Sequence, residues 1–156
     1  MRIPAFLMLI TLAATCGAQQ SGPPFSITIS ANSQVVKAGS SVYLAIRMTN
    51  KTSQDLDCTS VPLGDLDRAY EYDVRDDGGN LVPKAVRSAP EEGNGWSGMP
   101  RAIKPGETCE ARGGSIDHLY DMTRPGKYTI QVSRRISNDP KDGVVKSNII
   151  TVTVTP

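Results

Sequence analysis

Val42-Tyr43-Leu44-Ala45-Ile46-Arg47-Met48-Thr49 decides the fold. Val42, Leu44, Ile46 and Met48 fall on one side of this stretch, and Tyr43, Ala45, Arg47 and Thr49 on the other. A period of two is what an extended strand with one buried face produces. Ala38-Gly39-Ser40 turns the chain into the strand, and Asn50-Lys51-Thr52-Ser53 turns it out again.

The same pattern recurs on both sides. Upstream, Phe25, Ile27 and Ile29 alternate with Ser26, Thr28 and Ser30. Downstream, Gln54 to Thr59 reads as a short strand. Tyr70, Tyr72 and Val74 alternate with Glu71, Asp73 and Arg75. Asp76-Asp77-Gly78-Gly79-Asn80 then supplies residues that tolerate positive φ, as a hairpin turn requires. The stretch from Pro83 to Ile103 is irregular. Lys104-Pro105-Gly106 is a turn, and Glu107 to Ala111 reads as a strand. His118 to Met122 is a connection with room for one helical turn. Tyr128, Ile130 and Val132 mark a strand over Lys127 to Arg134, and Val144 to Val154 is the last. No segment sustains a 3.6-residue period with caps. About seven short strands with close turns predict an all-β, antiparallel β-sandwich in a single domain over 25–156.

The first 18 residues are read separately. Met1-Arg2 is a short positive start, Ala5 to Ala14 is almost wholly apolar, and Cys16-Gly17-Ala18 offers the small residues a signal peptidase reads. The run is shorter than the roughly 20 apolar residues a membrane span takes. The expectation is therefore a signal peptide over 1–18, cleavage near Ala18, a linker over 19–24, and a secreted or periplasmic protein without a membrane span. Cys16 supplies the alternative: a bacterial lipoprotein is cut just before a Cys that receives lipid, although Thr15 is unusual in the preceding position.

Charge narrows the partners. The chain has 17 basic and 16 acidic side chains; loss of Arg2 leaves 16 of each. Nucleic-acid binding draws on a basic face that displaces phosphate counterions, so it is not expected. Cys58 and Cys109 remain after cleavage. In an oxidising compartment a disulfide is the default, with two separately buried thiols as the alternative.

The strand Ser41 to Asn50 ending in Met48-Thr49-Asn50, the turn Lys104-Pro105-Gly106-Glu107, and Leu119-Tyr120-Asp121-Met122-Thr123-Arg124-Pro125-Gly126-Lys127-Tyr128-Thr129-Ile130 follow one another along the chain. Together they resemble immunoglobulin-like modules of secreted bacterial proteins. The nearest is the N-terminal β-sandwich of aspzincin (deuterolysin-like) metallopeptidases, over about Ile27 to Val154. The resemblance implies a tyrosine corner built from Asp121, Gly126 and Tyr128, in which the phenol bonds upstream backbone. It is not expected to carry peptidase activity, because no His-Glu-x-x-His zinc motif is present in this sequence and it holds a single His.

Catalytic patterns are sparse. A Ser-His-Asp relay needs a His, and His118 sits in a connection. No G-x-S-x-G elbow or phosphate-binding glycine loop occurs. Glu91 and Glu92 are the nearest candidates for paired carboxylates, and a solvated loop tip explains them better. Asp55, Asp57, Asp65, Asp67, Glu71, Asp73, Asp76 and Asp77 crowd one region, but their spacing matches no EF-hand, so solvated faces are preferred to a calcium site. No metal and no cofactor are expected. Asn50-Lys51-Thr52 matches a glycosylation sequon, which matters only in a eukaryotic secretory pathway.

The segment around Trp96, with Met99 and Arg101, is the candidate binding site, because loops at sandwich ends often bind and Trp is enriched at hot spots. The alternative is that Trp96 folds back over the core. The leading functional expectation is a non-enzymatic, exported binding module whose partner is a protein or polysaccharide of the cell envelope or extracellular space. A secreted protease-inhibitor-like protein acting through the 83–103 loop, and a hydrolase of unrecognised type, are the alternatives.

Overall fold

The computed structural model describes residues 22–59, 70–85, 100–137 and 139–156. The described residues form ten strand segments and two short 3-10 turns. Strands β1 (Phe25–Ala31), β3 (Tyr43–Asn50) and β7 (Thr108–Ser115) make one antiparallel sheet in the order β1-β3-β7. Strands β2 (Val35–Lys37), β10 (Ile150–Thr155), β8 (Gly126–Arg135) and β5 (Glu71–Arg75) make the second, with β9 (Val144–Lys146) also on β8. Strands β4 (Leu56–Thr59) and β6 (Pro100–Ile103) pair with each other in a third, two-stranded sheet.

This is the immunoglobulin-like sandwich that the pattern predicts. The segment count exceeds seven because the short strands β2, β4, β6 and β9 flank the long ones. The first chain segment changes sheets within a few residues. β1 runs antiparallel to β3, and β2 then runs parallel to β10 in the opposite sheet. The helical turn lies slightly earlier than the sequence suggests, at Ile116–His118.

The alternation becomes the core. Ile27 and Ile29 from β1, and Leu44, Ile46 and Met48 from β3, are buried against Val74, Ile130, Val132, Val152 and Val154 of the other sheet. Each such side chain contributes roughly 1.5–3 kcal/mol by leaving water. At one end Arg134 spans the rings of Phe25 and Tyr70, with centroid distances of 5.8 and 5.6 Å. Its guanidinium also reaches the Met48 sulfur at 3.4 Å. Such cation–π packing lets a long basic side chain close an aromatic-poor core.

The last strand is not continuous. Val144, Val145 and Lys146 pair with Arg135, Arg134 and Ser133, whereas Ile150 pairs with Ile130. Four steps on this side therefore match three on β8, which is a β-bulge at Ser147-Asn148-Ile149. The Ser147 hydroxyl accepts from the Val132 N–H at 2.9 Å, in place of the lost ladder bond. Ile149 is pushed outward, 62% exposed.

Candidate functional site

Strand β5 ends in a tight hairpin. The Asp76 carboxylate accepts from the N–H groups of Gly78 and Asn80, both at 2.9 Å, and Gly79 takes φ +77°. These bonds, the Asn80 one foremost, hold the Asp76 pKa below the usual carboxylate value. The returning chain closes against β5 through Val82 N–H to the Val74 carbonyl at 2.9 Å. It then bonds the connection before β8: Ala85 N–H donates to the Leu119 carbonyl, and Asp121 N–H to the Pro83 carbonyl, each at 2.9 Å.

Two concavities flank this returning segment. The first is a groove of about 480 Å³ lined by Tyr70, Glu71, Tyr72, Lys84, Ala85, Leu119 and Tyr120. Its floor is aromatic: Tyr70 and Tyr120 are buried, and the Tyr120 phenol donates to the Tyr72 carbonyl at 2.9 Å. Burial first, and the nearby Asp73 charge second, raise the Tyr120 pKa. Exposed Glu71 and Lys84 contribute charge to its lining. Glu71 also stands 3.7 Å from the Arg135 guanidinium.

The second concavity, about 290 Å³, lies at the hairpin end and includes Asp76, Asp77, Asp121, Arg124, Lys127 and Tyr128. Its groups are already engaged in local structure. Asp77 accepts from the Lys127 N–H at 2.6 Å and lies against Gly126, where a Cβ would meet its carboxylate at 3.4 Å. Asp121 accepts from the hydroxyl and N–H of Thr123 at 2.6 and 3.2 Å, and the hydroxyl bond foremost lowers its pKa.

Tyr128 donates its phenol to the Arg124 carbonyl at 2.7 Å, which is the tyrosine corner. Gly126 and Asp121 sit beside it in different roles. Gly126 gives room to Asp77, and Asp121 shapes the turn before the strand.

Cys58 and Cys109 are disulfide-bonded, with Cα atoms 6.6 Å apart. The bridge ties the β4–β6 pair to β7. Asn50 ties it a second time: its Nδ2 donates to the carbonyls of Gln54 and Ile103 at 2.8 and 2.9 Å, and its Oδ1 accepts from the N–H and hydroxyl of Thr52, each at 2.8 Å. The Asn50 side chain is therefore buried with its amide fully engaged, and the sequon residue offers no free nitrogen to a sugar.

Of the predicted binding residues, Trp96 and Met99 lie outside the described residues, as do Glu91 and Glu92. Arg101 is exposed on β6, opposite Cys58 in register, and lines neither concavity. His118 is 77% exposed on its side chain and 4.0 Å from Asp117. Asp117 instead bonds the Ser115 hydroxyl and the Val42 N–H. A relay needs the imidazole between Ser and Asp; here the carboxylate holds the serine directly. Among the described residues, no three His, Cys, Asp or Glu side chains group to hold a metal ion, and no helix is long and apolar enough to cross a membrane.

Sequence reasoning missed the groove. Its residues come from β5, the returning segment and the connection before β8, and the one legible sign was the pair Tyr70 and Tyr72. Comparison with protein-family models and with curated proteins finds no match for the chain.

Proposed function

We propose that this is an exported, non-enzymatic immunoglobulin-like protein that binds a protein or polysaccharide of the cell envelope or extracellular space. The observation that carries the reading is the groove beside β5, with its Tyr70, Tyr72 and Tyr120 walls and the charges of Glu71 and Lys84 in its lining. Its volume of about 480 Å³ falls in the range of ligand sites. Tyrosine rings supply flat apolar area, which suits both saccharide and peptide surfaces.

Export is supported by the signal-like N-terminus and by the Cys58–Cys109 disulfide, a bond that persists in oxidising compartments. Binding rather than catalysis is supported by the solitary exposed His118 and by a Ser115–Asp117 pair that lacks a relay between its members. The test is retention. Immobilised exported protein is presented with native envelope and extracellular fractions, beside a Glu71→Lys/Lys84→Glu variant of unchanged melting temperature. Selective retention by the wild-type protein supports the reading; equal retention or none opposes it.

A further inference from the structure

A β-sandwich is vulnerable at its edges, where outward N–H and C=O groups can pair with another strand. In β1 the even-numbered residues bond β3: Asn32 N–H donates to the Tyr43 carbonyl at 3.0 Å, for example. The backbone N–H and C=O groups of the odd-numbered residues therefore point to the open edge, while their side chains enter the core. At Ile29, the middle of that edge, one side chain takes both groups. Asn148 Oδ1 accepts from the Ile29 N–H at 2.8 Å, and Asn148 Nδ2 donates to the Ile29 carbonyl at 3.0 Å. A primary amide presents the same donor and acceptor as a peptide unit, so Asn148 stands where a neighbouring strand would stand.

Two further edges show the same treatment. In β2, Gln34 and Ala38 bond β10, so Val35 looks outward. The Ser33 hydroxyl donates to the Val35 carbonyl at 2.7 Å and accepts from its N–H at 3.3 Å. On the outer side of β5, the Val74 carbonyl takes the Val82 N–H and the Tyr72 carbonyl takes the Tyr120 phenol.

We propose that these bonds close the sandwich edges to strand addition, above all by a second copy of this chain, and that Asn148 is the principal plug. A second copy is the partner excluded because an antiparallel edge complements itself about a two-fold axis. Asn148 leads because it blocks two groups at mid-strand on a seven-residue edge, and because the bulge at 147–149 is what aims it there. The inference does not depend on what the groove binds.

The test is Asn148→Ala, compared with wild-type protein by light scattering over a concentration series and by residue-resolved amide exchange. The wild-type protein is expected to stay monomeric. The variant is expected to keep its circular dichroism and to dimerise reversibly, with exchange at the Ile27 and Ala31 amides slowed about tenfold or more in the dimer. A native-like variant that stays monomeric, or one that associates with those amides unchanged, overturns the proposal. Should Asn148→Ala fail to fold, Asn148→Leu decides by the same readouts, since it keeps the size of the side chain and loses both the donor and the acceptor.

Discussion

The Tyr128 phenol donates to the backbone carbonyl of Arg124 at 2.7 Å, locking the connection before β8 onto the first turn of that strand. The bond fixes where β8 begins, and β8 pairs with β5, β9 and β10. The bond thus ties the preceding connection to the strand on which most of the second sheet pairs.

Tyr128→Phe keeps the ring in the core and removes that bond. A net hydrogen bond of this kind contributes about 0.5–1.5 kcal/mol, so a loss of about 1 kcal/mol is expected, with the fold retained. Urea denaturation monitored by far-ultraviolet circular dichroism checks it; an unchanged midpoint would show that the corner contributes nothing.

Asn50→Ala is expected to cost more. It leaves the buried Ile103 carbonyl without its Asn50 donor and the Thr52 N–H without its acceptor, in a place where Asn50 itself has no solvent exposure; the Gln54 carbonyl keeps the Thr52 hydroxyl. Each orphaned group costs about 1–3 kcal/mol where water cannot replace the bond, so the two groups, with the part-buried Thr52 N–H at the low end, are expected to total about 2–4 kcal/mol. The same denaturation experiment measures it.

The disulfide closes a sequence separation of 51 residues. The chain-entropy relation gives on the order of 4 kcal/mol for such a loop. Cys58→Ser/Cys109→Ser should lower the melting temperature accordingly. Amide exchange should rise first in β4 and β6, whose two-stranded sheet loses its covalent tie. Uniform loosening of both main sheets would contradict this placement.

Stability should fall at both pH extremes for separate reasons. Asp76 and Asp121 have native pKa values below 3.8, so their contribution is present above that value and is lost as pH falls through the lower native values. Tyr120 and Tyr128 are raised above 10.0, chiefly by burial, so their contribution is intact below 10 and is lost as pH rises through the higher native values. Melting curves from pH 2 to 12 check both limbs. Asp76→Asn should shrink the acid limb to the Asp121 share, and it should trim the alkaline limb slightly, because the Asp76 charge helps to raise Tyr128.

The parts of the fold written in local patterning were legible. Alternation at Val42 to Thr49 fixed which face of β3 is buried, and Asp76 to Asn80 named its own turn. The bond from Tyr128 to upstream backbone was implied by the resemblance carried by Asp121, Gly126 and Tyr128, and by no local period. What escaped depends on partners distant in sequence. Val144 to Val154 alternates well enough to read as one strand, and only pairing with β8 reveals the extra residue at 147–149. Asn148 looks like an ordinary polar residue of that strand until Ile29, 119 positions away, is placed beside it. The groove escaped for the same reason: Tyr72, Lys84 and Tyr120 meet through tertiary pairing, and no local period records that.

The central claim, a binding function at the groove beside β5, is tested most directly by retention of a ligand from the native envelope and extracellular fractions. The exported wild-type protein is predicted to retain one component saturably and release it unaltered. The Glu71→Lys/Lys84→Glu variant, equally stable, should lose about tenfold or more in affinity, the equivalent of about 1.4 kcal/mol. Retention that is identical in both proteins, no retention by either, or release of the component as a cleaved product would contradict the account.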